Sequence, residues 1–64
     1  MYIVIVNPEN EEKRHGTCQS ATLDGKRQRL LVEWVAGLTS DVHIGDREVY
    51  FYKSKVQAGK DHEL

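Results

Sequence analysis

Turn signals divide this chain into short segments, and they limit the fold more than any other feature of the sequence. Pro8 has no N–H group for a strand ladder and restricts Asn7 to extended geometry, so this pair ends the first apolar run. Asp24-Gly25 is typical of a β-hairpin, whose tight turn needs positive φ angles. Gly37 and Gly45-Asp46 mark two further turns. The segments between these turns are short, which favours strands over helices.

Five segments have the composition of β-strands. Tyr2–Val6 is rich in β-branched residues and apolar on both faces, which predicts a central strand covered on each side. Thr17–Leu23 is small and polar, which predicts an edge strand. The other predicted strands are Gln28–Ala36, Val42–Ile44 and Glu48–Lys53.

Five short strands in 64 residues predict an all-β fold, a small five-stranded barrel of the SH3-like or OB-like kind. The segment Ile44–Val49 resembles the turn-into-strand segment common in such barrels, which implies architecture and not activity. The alternative is an α+β fold, a βαββ arrangement with a helix at about residues 26–36. It arises because this part of the chain also has apolar residues at helical spacing, namely Leu30, Leu31, Trp34, Val35 and Leu38.

The chain has room for one small domain only, which we place at residues 1–53. From Ser54 onward the sequence is polar, and we expect residues 54–64 to form a frayed or disordered tail. So small a core leaves little stability after the conformational entropy of folding is subtracted. A dimer contact or a bound partner therefore matters more here than in a larger protein.

The net charge and the single cysteine indicate which kinds of partner and which cellular compartment fit this protein. Nine Lys and Arg against ten Asp and Glu give a net charge of −1, without the basic excess of a dedicated duplex-binding domain. The single cysteine, Cys18, fits a reducing compartment. The longest apolar run, Met1–Val6, is far shorter than the roughly 18 residues of a membrane span and lacks the features of a signal peptide. We expect a cytoplasmic protein, from a bacterium or a phage.

No pattern in the sequence predicts an enzyme, a metal site or a cofactor. His15 and Cys18 have H-x-x-C spacing, but structural zinc sites normally combine two ligand pairs. Asp41 and His43 share a strand face beside Ser40, yet no nucleophile elbow accompanies them. The glycines form neither G-x-G-x-x-G nor a P-loop. We therefore expect no catalytic residues, no bound metal and no cofactor.

The aromatic segment Glu48–Lys53 favours protein binding. Its aromatic residues alternate between the two faces of a strand, and such side chains dominate the energetics of interfaces. We predict a non-enzymatic protein-binding module, a regulator, adaptor or inhibitor of a larger protein or assembly, with self-association as a homodimer included. The predicted anchors are Tyr50, Tyr52 and Leu31, with Arg29 as a bidentate contact beside them.

The competing hypothesis is a regulator that binds RNA or single-stranded DNA. Lys26, Arg27 and Arg29 form a basic hairpin, and Trp34 and Tyr50 offer rings for base stacking. The other interpretation places Trp34 in the core together with Phe51, because so small a domain needs its only tryptophan for burial. For Trp34 we favour the core.

Overall fold

The computed structural model describes all residues, 1–64, as five strands followed by one helix. The strands form a single sheet with the order β4-β3-β2-β1-β5, and every neighbouring pair is antiparallel. A small sheet-rich fold is thereby confirmed. The elements are β1 (Tyr2–Val6), β2 (Lys13–Asp24), β3 (Arg27–Trp34), β4 (Thr39–His43), β5 (Glu48–Tyr52) and α1 (Lys55–His62).

The ambiguous segment is a strand, so the predicted alternative of a helix at 26–36 is wrong. The predicted hairpin is present, and Gly25 has the expected positive φ, 65°. The turn itself consists of Gly25 and Lys26, because Asp24 is still paired with Arg27 as the last residue of β2. From there β3 alternates buried and more exposed side chains, with Leu30 and Val32 fully buried. Pairing with β2 on one side and β4 on the other satisfies its backbone, which overrides the helical spacing.

The predicted edge strand 17–23 belongs to a longer strand, β2, which is paired on both sides only around Gly16 and Thr17. From Ser20 to Leu23 it pairs with β3 alone, so this half of β2 is an edge, as predicted, although the strand begins earlier than the sequence indicates. β2 starts at Lys13 and pairs with β1 through its first half and with β3 through its second. Arg14 and His15 lie opposite Ile5 and Val4. Pairing with the apolar strand β1 therefore holds these two charged or polar residues in the sheet. The sequence of this first half carries no strand signal of its own.

The sheet is open but strongly curled. Its edge strands, β4 and β5, are not paired with each other, and a closed barrel is therefore not confirmed. Yet only residues 44–47 join the two, and they span at most roughly 18 Å. In a flat sheet the two edges would lie about 19 Å apart across the strands alone. The bulge between Cys18 and Ser20 lets β2 bend, so that β3 folds back over β1.

The curl encloses the core on one face of the sheet, which we call the inner face. Its buried cluster consists of Ile3, Ile5, Leu30, Val32 and Trp34. The indole N–H of Trp34 donates to the Ser40 hydroxyl at 2.6 Å, so the predicted core position of Trp34 is confirmed with its polar atom satisfied. Phe51, the other predicted core aromatic, is 47% exposed. It lies on an edge strand, where no further strand covers it.

Gly16 marks the closest approach of two strands. It lies between Ile3 of β1 and Trp34 of β3 in the ladder. A Cβ atom on it would overlap the Glu33 carbonyl oxygen and lie 2.8 Å from the Trp34 Cα. Only glycine lets β2 and β3 come this close at the point where the sheet curls.

Residues 54–64 are folded, so the prediction of a frayed tail is wrong. The Ser54 hydroxyl accepts a hydrogen bond from the Gln57 N–H at 3.2 Å and caps α1. Ala58 is fully buried, and the helix packs against β1 and β5 on the face opposite the core, the outer face, where it covers Val4. With one buried residue, α1 has no apolar stripe that periodicity could detect. This single helix lacks the length and apolar character that a membrane crossing needs.

Candidate functional site

The free edge of β5 is defined by the hydrogen-bond pattern of its neighbour, β1. The Cys18 N–H donates to the Met1 carbonyl oxygen at 2.8 Å, and the Asn7 N–H donates to the Glu12 carbonyl oxygen at 2.9 Å. Odd-numbered residues of β1 therefore bond to β2. Because the backbone groups of successive strand residues point to opposite sides, even-numbered residues of β1 bond to β5.

On β5 the same alternation leaves two residues with outward-facing backbone groups. Val4 of β1 lies opposite Tyr50, so Tyr50 directs its N–H and C=O toward the sheet. Val49 and Phe51 direct theirs away from it, where no strand pairs with them. The same two residues carry the inner-face side chains, of which Val49 is half-buried against the core and Phe51 is exposed. β5 thus offers unpaired backbone groups beside an exposed aromatic ring.

The tyrosines of β5 lie on the outer face and contact α1. The Tyr52 hydroxyl lies 2.7 Å from Nε2 of His62, and the ring centroids of Tyr50 and His62 are 4.8 Å apart. The Tyr50 hydroxyl donates to the Glu48 carboxylate at 3.0 Å, and this bond and the negative charge raise the pKa of Tyr50. Partial burial raises the pKa of Tyr52. Both phenols stay neutral and hold the helix against the sheet, while Tyr50 remains 40% exposed.

The predicted protein-binding residues do not form one patch. Tyr50 and Tyr52 are neighbours on β5, and Leu31 and Arg29 are neighbours on β3, three strands away. That spacing is roughly 14 Å along the sheet. Arg29 is already bonded, to the Asp24 carboxylate at 3.2 Å and to His43 at 3.3 Å. Only the tyrosine pair lies beside the free edge.

The residues of the nucleic-acid hypothesis are also dispersed. Lys26 and Arg27 lie at the hairpin between β2 and β3, whereas Tyr50 lies on the outer face of β5. Trp34 is 6% exposed on the inner face, with the Arg14 guanidinium 4.0 Å from its ring centroid. A ring that is buried and covered in this way is not a platform for base stacking.

Two arginines that no sequence motif marks line one cavity on the inner face near β5. Arg14 projects from β2, and Arg47 directly precedes β5. Both line an open cavity of about 190 Å³, together with Ile5, Asn7 and Glu12. The only ion pair in the structure joins Arg29 and Asp24, so neither guanidinium has a carboxylate within salt-bridge distance. Arg14 would have been found only if the first half of β2 had been recognised as a strand.

Comparison of the chain with models of protein families, with curated proteins and with solved structures gave no match.

The histidines and the cysteine are not gathered into a site. His15 lies on the outer face, where its Nδ1 meets the Tyr2 hydroxyl, whereas Cys18 packs against the core on the inner face. His43 lies on β4, bonded to Arg29. No group of three or more His, Cys, Asp or Glu side chains is arranged to hold a metal ion.

Proposed function

We propose that this protein is a non-enzymatic protein-binding module, which regulates, adapts or inhibits a larger protein by accepting an extended segment at β5. The observation that supports this proposal is the unpaired backbone of Val49 and Phe51 beside an exposed aromatic side chain. Exposed apolar edge strands pair readily with other chains, and strand addition is a common mode of peptide recognition. The single cysteine, Cys18, fits action in a reducing cytoplasm.

The strand at the opposite end of the sheet order, β4, supports the choice of β5. The Ile44 N–H donates to the Gln28 carbonyl oxygen, so even-numbered residues of β4 and its extension face β3. The outward-facing residues of β4 are therefore Thr39, Asp41 and His43. Polar and charged side chains protect an edge strand from unwanted pairing. β4 is protected in this way, and β5 is not.

Binding of RNA or single-stranded DNA is the competing proposal, and it has less support. The basic hairpin residues Lys26 and Arg27 lie on a different part of the sheet from the aromatic residues of β5. A complex with about three phosphate contacts would weaken roughly tenfold or more between 50 and 200 mM salt. Peptide pairing at β5 depends on backbone bonds and apolar contacts, so salt changes it far less.

The decisive experiment blocks the edge without unfolding the sheet. In Val49→Pro the lost N–H is one that faces solvent, a position where an edge strand tolerates proline. Val49→Thr keeps the N–H and the β-branched shape, and serves as the matched control. A displayed library of random ten-residue peptides, selected against the wild-type protein, supplies the ligands.

We expect the selected peptides to bind the wild type and the threonine variant alike. Binding to a folded Val49→Pro variant should be roughly tenfold weaker, because one backbone hydrogen bond is lost and the peptide carbonyl oxygen that accepted it is left without a donor, at a cost of about 1–3 kcal/mol. Equal binding to all three proteins would refute recognition at β5. Circular dichroism before the binding assay verifies that the proline variant is folded.

A further inference from the structure

We infer, on the basis of the function proposed above, that the segment accepted at β5 is acidic and comes from a different protein, with one of its carboxylates bound by Arg47 and Arg14. The inference rests on three features of the inner face: the direction of the side chains along β5, the unpaired charge in the adjoining cavity, and the charges that a second copy would bring.

The direction of the side chains fixes where an acidic residue would lie. Val49 and Phe51 point to the inner face, and Arg47, two residues before Val49, lines the inner-face cavity with Ile5. An antiparallel strand beside β5 places its own inner-face side chains opposite these positions, at every second residue. The bound segment therefore places apolar side chains opposite Phe51 and Val49, and its next inner-face side chain lies beside Arg47. The predicted ligand pattern is apolar-x-apolar-x-acidic.

The cavity beside Arg47 has the charge and the donors for a carboxylate. Arg47 uses Nη1 to donate to the His43 carbonyl oxygen at 3.2 Å, which positions the guanidinium and leaves most of its five donors free. Arg14 is held over the Trp34 ring. Glu12 is the single acidic residue lining the cavity, against the two arginines. A guanidinium binds a carboxylate with two parallel hydrogen bonds, so the pair favours an acidic ligand.

A second copy of the chain does not match this surface. In a symmetric antiparallel pair of β5 strands, the register that pairs all five strand residues is centred on Tyr50. This register places Arg47 opposite Lys53 of the copy at both ends, and like charges opposite each other are destabilising. Registers shifted by two residues in either direction pair only three of the five strand residues. A foreign strand with an acidic residue meets neither obstacle.

The test compares peptide selections on matched variants of the full chain. The peptide library described above is selected in parallel against the wild type, Arg47→Gln and Arg27→Gln. Arg27→Gln makes the same change at the hairpin, away from β5. We expect the wild type and Arg27→Gln to enrich the apolar-x-apolar-x-acidic pattern, and Arg47→Gln to enrich apolar strands without an acidic preference.

An enriched peptide and its Glu-to-Gln isostere then measure the contribution of the carboxylate. On the wild type the acidic peptide should bind roughly tenfold more tightly, as expected for a charge-assisted bidentate contact. On Arg47→Gln this ratio should fall to about one. Fluorescence polarisation at constant salt gives both affinities.

The outcomes separate this inference from the proposed function. Enriched peptides that need the N–H of Val49 but show no acidic preference would overturn the inference and leave recognition at β5 in place. No peptide that depends on Val49 would refute the proposed function as well. A dimer that Val49→Pro abolishes would show that a second copy occupies the edge, and would overturn the acidic ligand. Co-purified nucleic acid that is lost in Arg47→Gln would also overturn it, because the arginines would then bind phosphate.

Discussion

Replacing Gly16 with alanine tests the curl of the sheet directly. The added Cβ would meet the Glu33 carbonyl oxygen and the Trp34 Cα, both of which are backbone atoms that cannot rotate away. Since the Trp34 Cα would lie at 2.8 Å, and carbon atoms pack at about 3.5–4.0 Å, β2 and β3 would have to separate by roughly 1 Å. Overpacking and one or two weakened ladder bonds should cost about 2–3 kcal/mol.

That cost is large for this chain. A domain of 64 residues has a free energy of unfolding of roughly 3–10 kcal/mol, so Gly16→Ala should lower Tm by about 10–20 °C. Gly59→Ala is the matched control, because the same methyl group in α1 would have only the Leu64 carbonyl oxygen near it, at 4.0 Å. There alanine should stabilise the protein by about 0.5–1 kcal/mol. Urea and thermal denaturation measure both. Equal stability of Gly16→Ala and the wild type would refute the close approach of β2 and β3.

Three further perturbations test separate contacts. Ser54→Ala removes the cap of α1 and should lower the free energy of unfolding by about 1 kcal/mol in urea denaturation, whereas no change would mean that the cap contributes nothing. Ser40→Ala leaves the Trp34 N–H without its acceptor and should cost roughly 1–2 kcal/mol, with a shift of the tryptophan emission. Burial, and then the charge of Lys55, lower the pKa of His15, so the unfolded chain binds its proton more tightly. Stability should therefore fall as pH decreases below about 6.5, and His15→Asn should reduce that slope; an identical slope would contradict this origin.

The elements that the sequence predicts are those in which local pattern and tertiary environment agree. Tyr2–Val6 is apolar on both faces, and the structure covers both faces, one with the core and the other with α1. The hydrophobic pattern of this strand therefore agrees with its position in the fold. The Asp24-Gly25 signal locates the hairpin, because the turn needs a positive φ whatever surrounds it. Leu30 and Val32 alternate with more exposed residues, and this period of two identifies β3 once the hairpin is accepted.

The elements that the sequence does not predict are formed by contacts with other parts of the chain. Arg14 and His15 form a strand because β1 lies beside them, and nothing in their own side chains indicates it. α1 is held by a cap, by Ala58 and by contacts of His62 with the tyrosines of β5, none of which produces a hydrophobic period. The sequence does not indicate the pair of arginines for the same reason. Arg14 and Arg47 are far apart in sequence, and only the path of the curled sheet brings them to one cavity.

The position of α1 explains why the edge of β5 is free. The chain leaves β5 at Tyr52 and could have returned along the edge as a sixth strand, which would have used the outward-facing groups of Val49 and Phe51. Instead Ser54 starts a helix that crosses to the outer face, where Ala58 covers β1 and His62 bonds to Tyr52. The helix buries little apolar surface, yet by packing there it leaves the backbone of β5 unpaired. The segment with the weakest sequence signal thus determines the availability of the proposed binding edge.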